Sequence, residues 1–435
     1  MQPRLLLDIS TADLLSIASP VGLANSTACD LGVFKSRRTA LPCLSARSGF
    51  HALLQTLALP AKSPIIYSAI TIETMVAIAH EHQLATHFVD VDPATMLPAP
   101  EALDALLTQT SAKVVVIAQL YGCVSSLQAH AVVCQKHGAL LVEDCAQAFS
   151  GDFHLGDAAS DFSLFSFGPI KRFTALGGGV IVGQDAERMQ AIANLINTWP
   201  RKSDAWFIQR ALKFLALKIA SIPFIYTALL RSLSALGQDA DALIGSIARG
   251  FQAGRITPQL AHRMSPRQQR LLARRLNNAK HSEARSQSAM QSLHNAQQHL
   301  TNVSLQRIGT ASQKNAFWLM PVLVLNPKYD PAKVVMRKLA LCHPLAFALV
   351  DQLSHLCALL LGIVRALAAA IRALCRHRFD SFCCHRPHRF EAPMEPAQPS
   401  QIASRARAYC QFVVERFCSR VGSQVCEPRL PSHTQ

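Results

Sequence analysis

The stretch Leu140–Gly183, LLVEDCAQAFSGDFHLGDAASDFSLFSFGPIKRFTALGGGVIVG, decides the fold. It opens on an apolar run that ends in the acidic pair Glu143-Asp144. It passes through a second apolar segment, Phe162–Phe167, to Lys171, and closes on Gly177–Gly179 and another short strand pattern, Val180–Gly183. Working outward, Lys113–Ala118 (KVVVIA) and Ala139–Glu143 (ALLVE) are continuous apolar strands, Ser63–Tyr67 and His87–Asp90 shorter ones. Between them Gly49–Leu57, Ile72–Gln83, Pro100–Thr108 and Ser126–His137 carry helical patterns. Continuous apolar strands alternating with helices predict βαβ units, hence an α/β fold with a mostly parallel sheet covered by helices on both faces. Ligands of such sheets sit at the carboxyl ends of strands, where Asp144 falls.

At 435 residues, half of them apolar, the chain is long enough for two domains, and its formal charge of +16 is high. Such charge suits nucleic acid, an anionic membrane face or phosphorylated substrates. No basic block is interleaved with aromatics and no zinc-finger or helix-turn-helix spacing occurs, so a nucleic-acid partner is not expected. Of thirteen cysteines, five precede residue 150 without framework spacing and read as buried thiols of a reducing compartment; eight follow residue 340. The start, MQPRLLLDISTADLLS, lacks the apolar core of a secretory signal, and a cytoplasmic location is expected.

The organisation expected is an arm (1–40), a large domain (41–200), an apolar basic insertion (201–250), a helical segment closing the large domain (251–310), the start of a smaller domain (311–340) and an atypical tail (341–435). The insertion's core, residues 205–235, is apolar but interrupted by Arg210, Lys213, Lys218 and Arg231 and broken by Pro223. No uncharged run reaches the roughly 20 residues of a membrane span. A buried or dimer-packing hairpin and a hairpin lying in a membrane interface both fit. Residues 258–300 read as a long basic helix or helix pair, and Ala316–Leu325 as a strand. After Lys338 there is no lysine, while Arg, Cys and His become frequent. Such a break marks either a distinct module or a tail translated out of frame. The set Cys375, His377, Cys383, Cys384, His385 and His388 has no familiar zinc spacing, and no metal is expected.

A lysine amine and a nearby strand-end carboxylate are what pyridoxal 5'-phosphate (PLP) chemistry requires: the amine forms a Schiff base, and the carboxylate keeps the pyridine nitrogen protonated. Lys171 and Asp144 are the candidates, although Asp144 would also serve as a helix cap, and Glu143 and Gln147 as surface polar residues. The phosphate needs a cradle, and Ser45-Ala46-Arg47-Ser48-Gly49 precedes a helix whose N-terminal N–H groups suit an anion. Ser166, five residues before the lysine, offers a hydroxyl to the same phosphate.

Together the pieces SARSGFHALL, HFVDVDPATM, AQLYGC, VEDCAQAF, DFSLFSFGPIKRF and HRMSPRQQ resemble the DegT/StrS sugar aminotransferases, fold-type I PLP enzymes, over roughly residues 40–280. The resemblance implies that Lys171 is the Schiff-base lysine, that Asp144 pairs with the pyridine nitrogen and that Gln147 reaches the cofactor's phenolic oxygen. It also implies that Ala46, Arg47 and Ser166 hold the phosphate, and that the enzyme is a homodimer. Lysine, where some members carry histidine and dehydrate, favours transamination from glutamate or glutamine to a keto-sugar, nucleotide- or lipid-linked. The family's Asn-x-Arg element, which reaches a neighbouring subunit's phosphate, reads Ala261-His262-Arg263, leaving Arg263 alone. Its Gly-Glu-Gly-Gly reads Leu176-Gly177-Gly178-Gly179, and the smaller C-terminal α+β domain is incomplete or atypical. The alternatives are a PLP-fold protein without turnover, a dehydratase-like enzyme, or a peripheral membrane scaffold built on residues 205–235.

Overall fold

Short Val- and Ile-rich runs bounded by turns satisfy their backbone by pairing with one another under helices on both sides. In the computed structural model they do so. It describes residues 7–18, 31–34, 38–235, 255–284, 286–288, 290–291, 305–319 and 321–324. The main sheet contains β1 (Thr39–Cys43), β2 (Pro64–Ser68), β3 (Ala85–Val89), β4 (Val114–Ala118), β6 (Leu140–Asp144), β7 (Phe162–Ser166) and β8 (Gly179–Gly183). The two-residue strand β5 (Cys123–Val124) lies outside it, paired with β10 (Lys314–Asn315). The sheet order is β1-β8-β7-β6-β4-β2-β3. β8 is antiparallel to both neighbours, and the other pairings are parallel.

One face packs on α2 (Ala46–Leu57), α3 (Glu73–Glu81) and α6 (Ala186–Thr198), where Phe50, Leu53, Met75 and Ile192 meet Tyr67, Val116 and Leu164. The other face is shared. α4 (Pro100–Thr110) and α5 (Gln128–Lys136) cover Ile66, Val115 and Ile117. Val180, Val182 and Phe165 lie under α1 (Thr11–Ala18), α7 (Asp204–Ala220) and α10 (Pro266–Asn277). Two further helices, α8 (Pro223–Ala235) and the short α9 (Thr257–Leu260), complete the set used below.

The expected strands and helices between residues 49 and 183 are present with ends shifted by one to three residues. The first strand, β1, was not expected: TALPC is short and holds a proline, which an edge strand tolerates. The hairpin of residues 205–235 forms two helices bent by 91° at the break before Pro223, and among the described residues no single helix is long and apolar enough to cross a membrane. The run Ala316–Leu325 is not one strand. Ala316 N–H donates to Gly122 O and Leu319 N–H to Tyr121 O, so 316–319 is a loop tied to residues 121–122, and only β11 (Val322–Val324) is extended, paired with β9 (Leu305–Arg307). The long helix or helix pair expected over 258–300 is, where described, broken at 261–265, with α10 capped by Ser265. Four of the five early cysteines, Cys43, Cys123, Cys134 and Cys145, are buried free thiols as expected. The tail 341–435 and its Cys/His set lie outside the described residues.

Candidate active site

Asp144 ends β6, hydrogen-bonded in register between Ala118 and Leu164 of the flanking strands. The chain then turns rather than entering a helix: Asp144 Oδ1 accepts from Ala146 N–H at 2.9 Å, so the residue is not a helix cap. Burial lifts its carboxyl above the ordinary carboxylate range, against the pull of the Ala146 N–H, Lys171 and Arg47. Glu143, pointing to the opposite side of the strand, is no surface residue but fully buried. It accepts from Gln119 Nε2 (3.1 Å), His154 Nε2 (2.8 Å), Asp157 N–H (2.8 Å) and Ser163 Oγ (2.9 Å). Burial works against its charge, but these bonds prevail and hold its pKa at about 2. The two adjacent acids thus divide labour: Glu143 locks the strand ends together and Asp144 faces the site.

Lys171 lies on the excursion between β7 and β8. Its neck is closed by Phe167, whose carbonyl accepts from Ala175 and Gly177 N–H and whose N–H donates to Gly178 O. Phe173 N–H donates to Asp8 Oδ2 at 2.8 Å, and Arg172 reaches Ser150 Oγ at 3.0 Å and Phe317 O at 2.7 Å. The lysine therefore sits on a braced turn, with its ammonium 4.2 Å from the centre of the Trp318 ring. Burial, with a smaller push from Arg47, lowers its pKa to about 8 although Asp144 opposes the shift.

The glycines after the lysine join this turn to the phosphate loop. Gly178 N–H donates to Leu44 O at 3.0 Å and bridges to Ser45. A Cβ on Gly179 would stand 2.9 Å from Ala46 Cα and closer still to Ala46 N, so only glycine lets β8 pass the start of α2. Ser166 pairs with Gly179 and so ends its strand beside Ala46. At the N-terminus of α2, Ser45 caps Ser48 N–H at 3.1 Å. The N–H groups of Ala46 and Arg47 lie in the first turn, ahead of any helical acceptor, where an anion is favoured. Arg47 Nη1 donates to Thr74 Oγ1 at 3.3 Å, and its side chain interacts electrostatically with Asp144 and Lys171. Its pKa falls to about 10 through burial and the neighbouring Arg210.

Asp144, Lys171, Arg47, Ala46 and Ser166 are thus one cluster at the carboxyl ends of β6 and β7. Gln147, three residues after Asp144, has its acceptor already used, Oε1 taking Tyr121 N–H at 2.8 Å. Within its own chain Arg263 donates Nε to Trp199 O at 3.0 Å, and its backbone pairs with Pro200 and Lys202; its expected contact is to a neighbouring subunit. Trp318 was missed because it lies in an apolar run that reads as strand. Arg210 was read as an interruption, although its spacing with Phe207, Ala211 and Phe214 places it on the buried face of α7.

These donors fit PLP: a braced lysine, a partly buried strand-end carboxylate, and a helix N-terminus beside which a glycine makes room. The architecture is that of the fold-type I PLP enzymes. Residues 30–210 match the DegT/DnrJ/EryC1/StrS aminotransferase family. The chain is 36% identical over 111 residues to the L-glutamine:2-deoxy-scyllo-inosose aminotransferase of Streptomyces fradiae, covering 25% of this chain and 26% of that protein. It is 34% identical over 113 residues to a UDP-N-acetyl-3-dehydro-alpha-D-glucosamine 3-aminotransferase of Acidithiobacillus ferrooxidans, covering 25% and 30%. The putative sugar aminotransferase Spr1654 of Streptococcus pneumoniae, in its PLP form, superposes with a TM-score of 0.51 at 14% identity, covering 78% of this chain and 82% of that one. In sequence the chain spans about a quarter to two-fifths of the length of the curated relatives it matches.

Proposed function

We propose that the protein is a PLP-dependent aminotransferase that moves an amino group from glutamate or glutamine to a keto-sugar carried on a nucleotide or a lipid. We place it in the cytoplasm as a homodimer. The observation that carries this reading is the convergence of Lys171, Asp144 and Arg47 beside the N-terminus of α2. PLP, when bound, supplies an electron sink for the carbon bearing the amino group. The residues of the chain do the rest. Lys171, with its pKa near 8, carries enough free amine at neutral pH to attack an aldehyde and to take up and return a proton at the substrate carbon. Asp144, in a dry setting that favours sharing a proton, faces the position a ring nitrogen would take. Ala46 and Arg47 N–H groups and Ser166 hold the phosphate. Gln147 donates its amide to the phenolic oxygen, and Trp318 screens the lysine from water.

The test is reductive capture. Borohydride treatment of the protein with PLP is expected to fix a label on the peptide containing Lys171, and Lys171→Ala to abolish it along with glutamine-dependent amination. A wild-type protein that takes up no cofactor sinks the proposal.

A further inference from the structure

Within one chain, the cofactor phosphate reading leaves a charge deficit. A phosphate monoester carries nearly two negative charges at neutral pH. The α2 N-terminus offers about half a positive charge, and the Arg47 side chain lies among Asp144 and Lys171. Arg263 is directed to the Trp199 carbonyl. A second cation does come close, from the insertion. Arg210 of α7 turns inward between Trp206 and Phe214, its guanidinium carbon 5.8 and 5.2 Å from their ring centres. Its Nε donates to Leu176 O at the start of the glycine turn, and it is the like-charged neighbour of Arg47. Among the described residues no carboxylate forms an ion pair with it.

A second, independent feature marks the same spot. Gln268, fully buried on α10, has neither Nε2 nor Oε1 hydrogen-bonded. It occupies the third helical position after Ser265, where a glutamine ordinarily turns back to the capping residue's N–H. Here it points at the glycine turn instead. A Cβ on Gly177 would lie 2.7 Å from Gln268 Nε2 and 3.6 Å from Arg210 Nε. Gly177, at φ +147, keeps that space open, and the next glycines dock on Ser45–Ala46.

We infer that Arg210 and Gln268 add to the phosphate subsite from within the same chain, the helix α7 supplying a charge beside the glycine turn. With Nε held by Leu176, the terminal nitrogens of Arg210 present the two-pronged donor that suits phosphate. Gln268 gains a partner for its amide N–H. The inference rests on the PLP reading, and the experiment separates the two.

PLP and pyridoxal, which lacks the phosphate, are titrated against wild type, Arg210→Lys and Arg210→Met, the last keeping the apolar stem between Trp206 and Phe214. Removing a charge-assisted contact is expected to weaken PLP binding by roughly 10- to 100-fold in Arg210→Met. Pyridoxal binding should stay within about twofold, and Arg210→Lys should recover part of the loss. In the unmutated protein, PLP and inorganic phosphate, but not pyridoxal, should shield Arg210 from phenylglyoxal, which settles the matter if a variant does not fold. Unchanged PLP affinity in Arg210→Met, an equal loss for both ligands, or unshielded Arg210 overturns the inference. A wild type that binds neither ligand overturns the functional reading itself.

Discussion

Glu143 and Asp144 are neighbours in sequence, yet their surroundings drive their pKa values in opposite directions. Strand alternation points one into a nest of four donors and the other into the site. The first has a measurable consequence. With a pKa of about 2 folded and an ordinary one of about 4.3 unfolded, Glu143 adds stability that is fully present above the unfolded value and lost as pH falls through the folded one. Glu143→Gln should cost roughly 3 kcal/mol at pH 7 and flatten the acid limb between those values. Denaturant titrations at pH 7 and pH 3 check both. Lys171 obeys the opposite arithmetic, since a lowered lysine pKa enlarges the free-amine fraction. The rate of PLP capture should rise about tenfold per pH unit below about 8 and level off above it. A rate that keeps rising to pH 10 would contradict the burial of that amine.

At the scale of elements, the site depends on β8 passing the start of α2 without a side chain. Gly179→Ala would drive a methyl into the Ser45–Ala46 backbone, which cannot move aside as a flexible side chain can. A loss of about 2–3 kcal/mol is expected, as for other overpacked sites. PLP affinity should fall with it, because the displaced atoms are the anion donors. Ser45→Ala, which removes the cap on Ser48 N–H and the contact with Ser48 Oγ, should cost about 1 kcal/mol. Thermal melts of both variants rank the two effects, and Gly179→Ala melting no lower than Ser45→Ala would refute the packing argument. Most of this was legible beforehand. Continuous apolar runs announced β4 and β6, the Phe-rich segment announced β7, and the Ser45–Gly49 loop announced a helix that in fact begins three residues earlier, at Ala46. What was not legible depended on contacts distant in sequence. The loop carrying Trp318 is apolar for its whole length, and only hydrogen bonds to Tyr121 and Gly122 keep it from being a strand. Gly177–Gly179 looked like a turn, but two of the three are glycine because of residues more than eighty positions downstream or more than a hundred upstream.

For the molecule as a whole, the hairpin of α7 and α8 belongs to two environments at once. On α7, Phe207, Ala211 and Phe214 are buried against the large domain, and Lys218 Nζ donates to Ile9 O, which tethers the helix to the segment preceding α1. The opposite side exposes Leu212 (59%) and Ile219 (47%), and the bend adds Ile222 (41%) and Phe224 (56%). Lys213 and Arg231 are exposed on the same pair of helices, and the chain carries a formal +16. Apolar side chains flanked by cations on a bent, non-spanning pair suit the interface of an anionic membrane. If half of each of the four side chains leaves water, roughly 1 kcal/mol apiece follows, together about a thousandfold partition before any electrostatic gain. The protein should therefore sediment with vesicles containing anionic lipid, less with zwitterionic ones, and less again as salt is raised. Replacing Leu212, Ile219, Ile222 and Phe224 together by serine should release it while leaving borohydride capture at Lys171 intact, because none of the four faces the cofactor cluster. Binding that persists in this variant would assign the membrane contact to another surface, and a wild type that ignores anionic vesicles would leave the exposed face to a second copy of the chain, which sedimentation of the protein alone would then reveal.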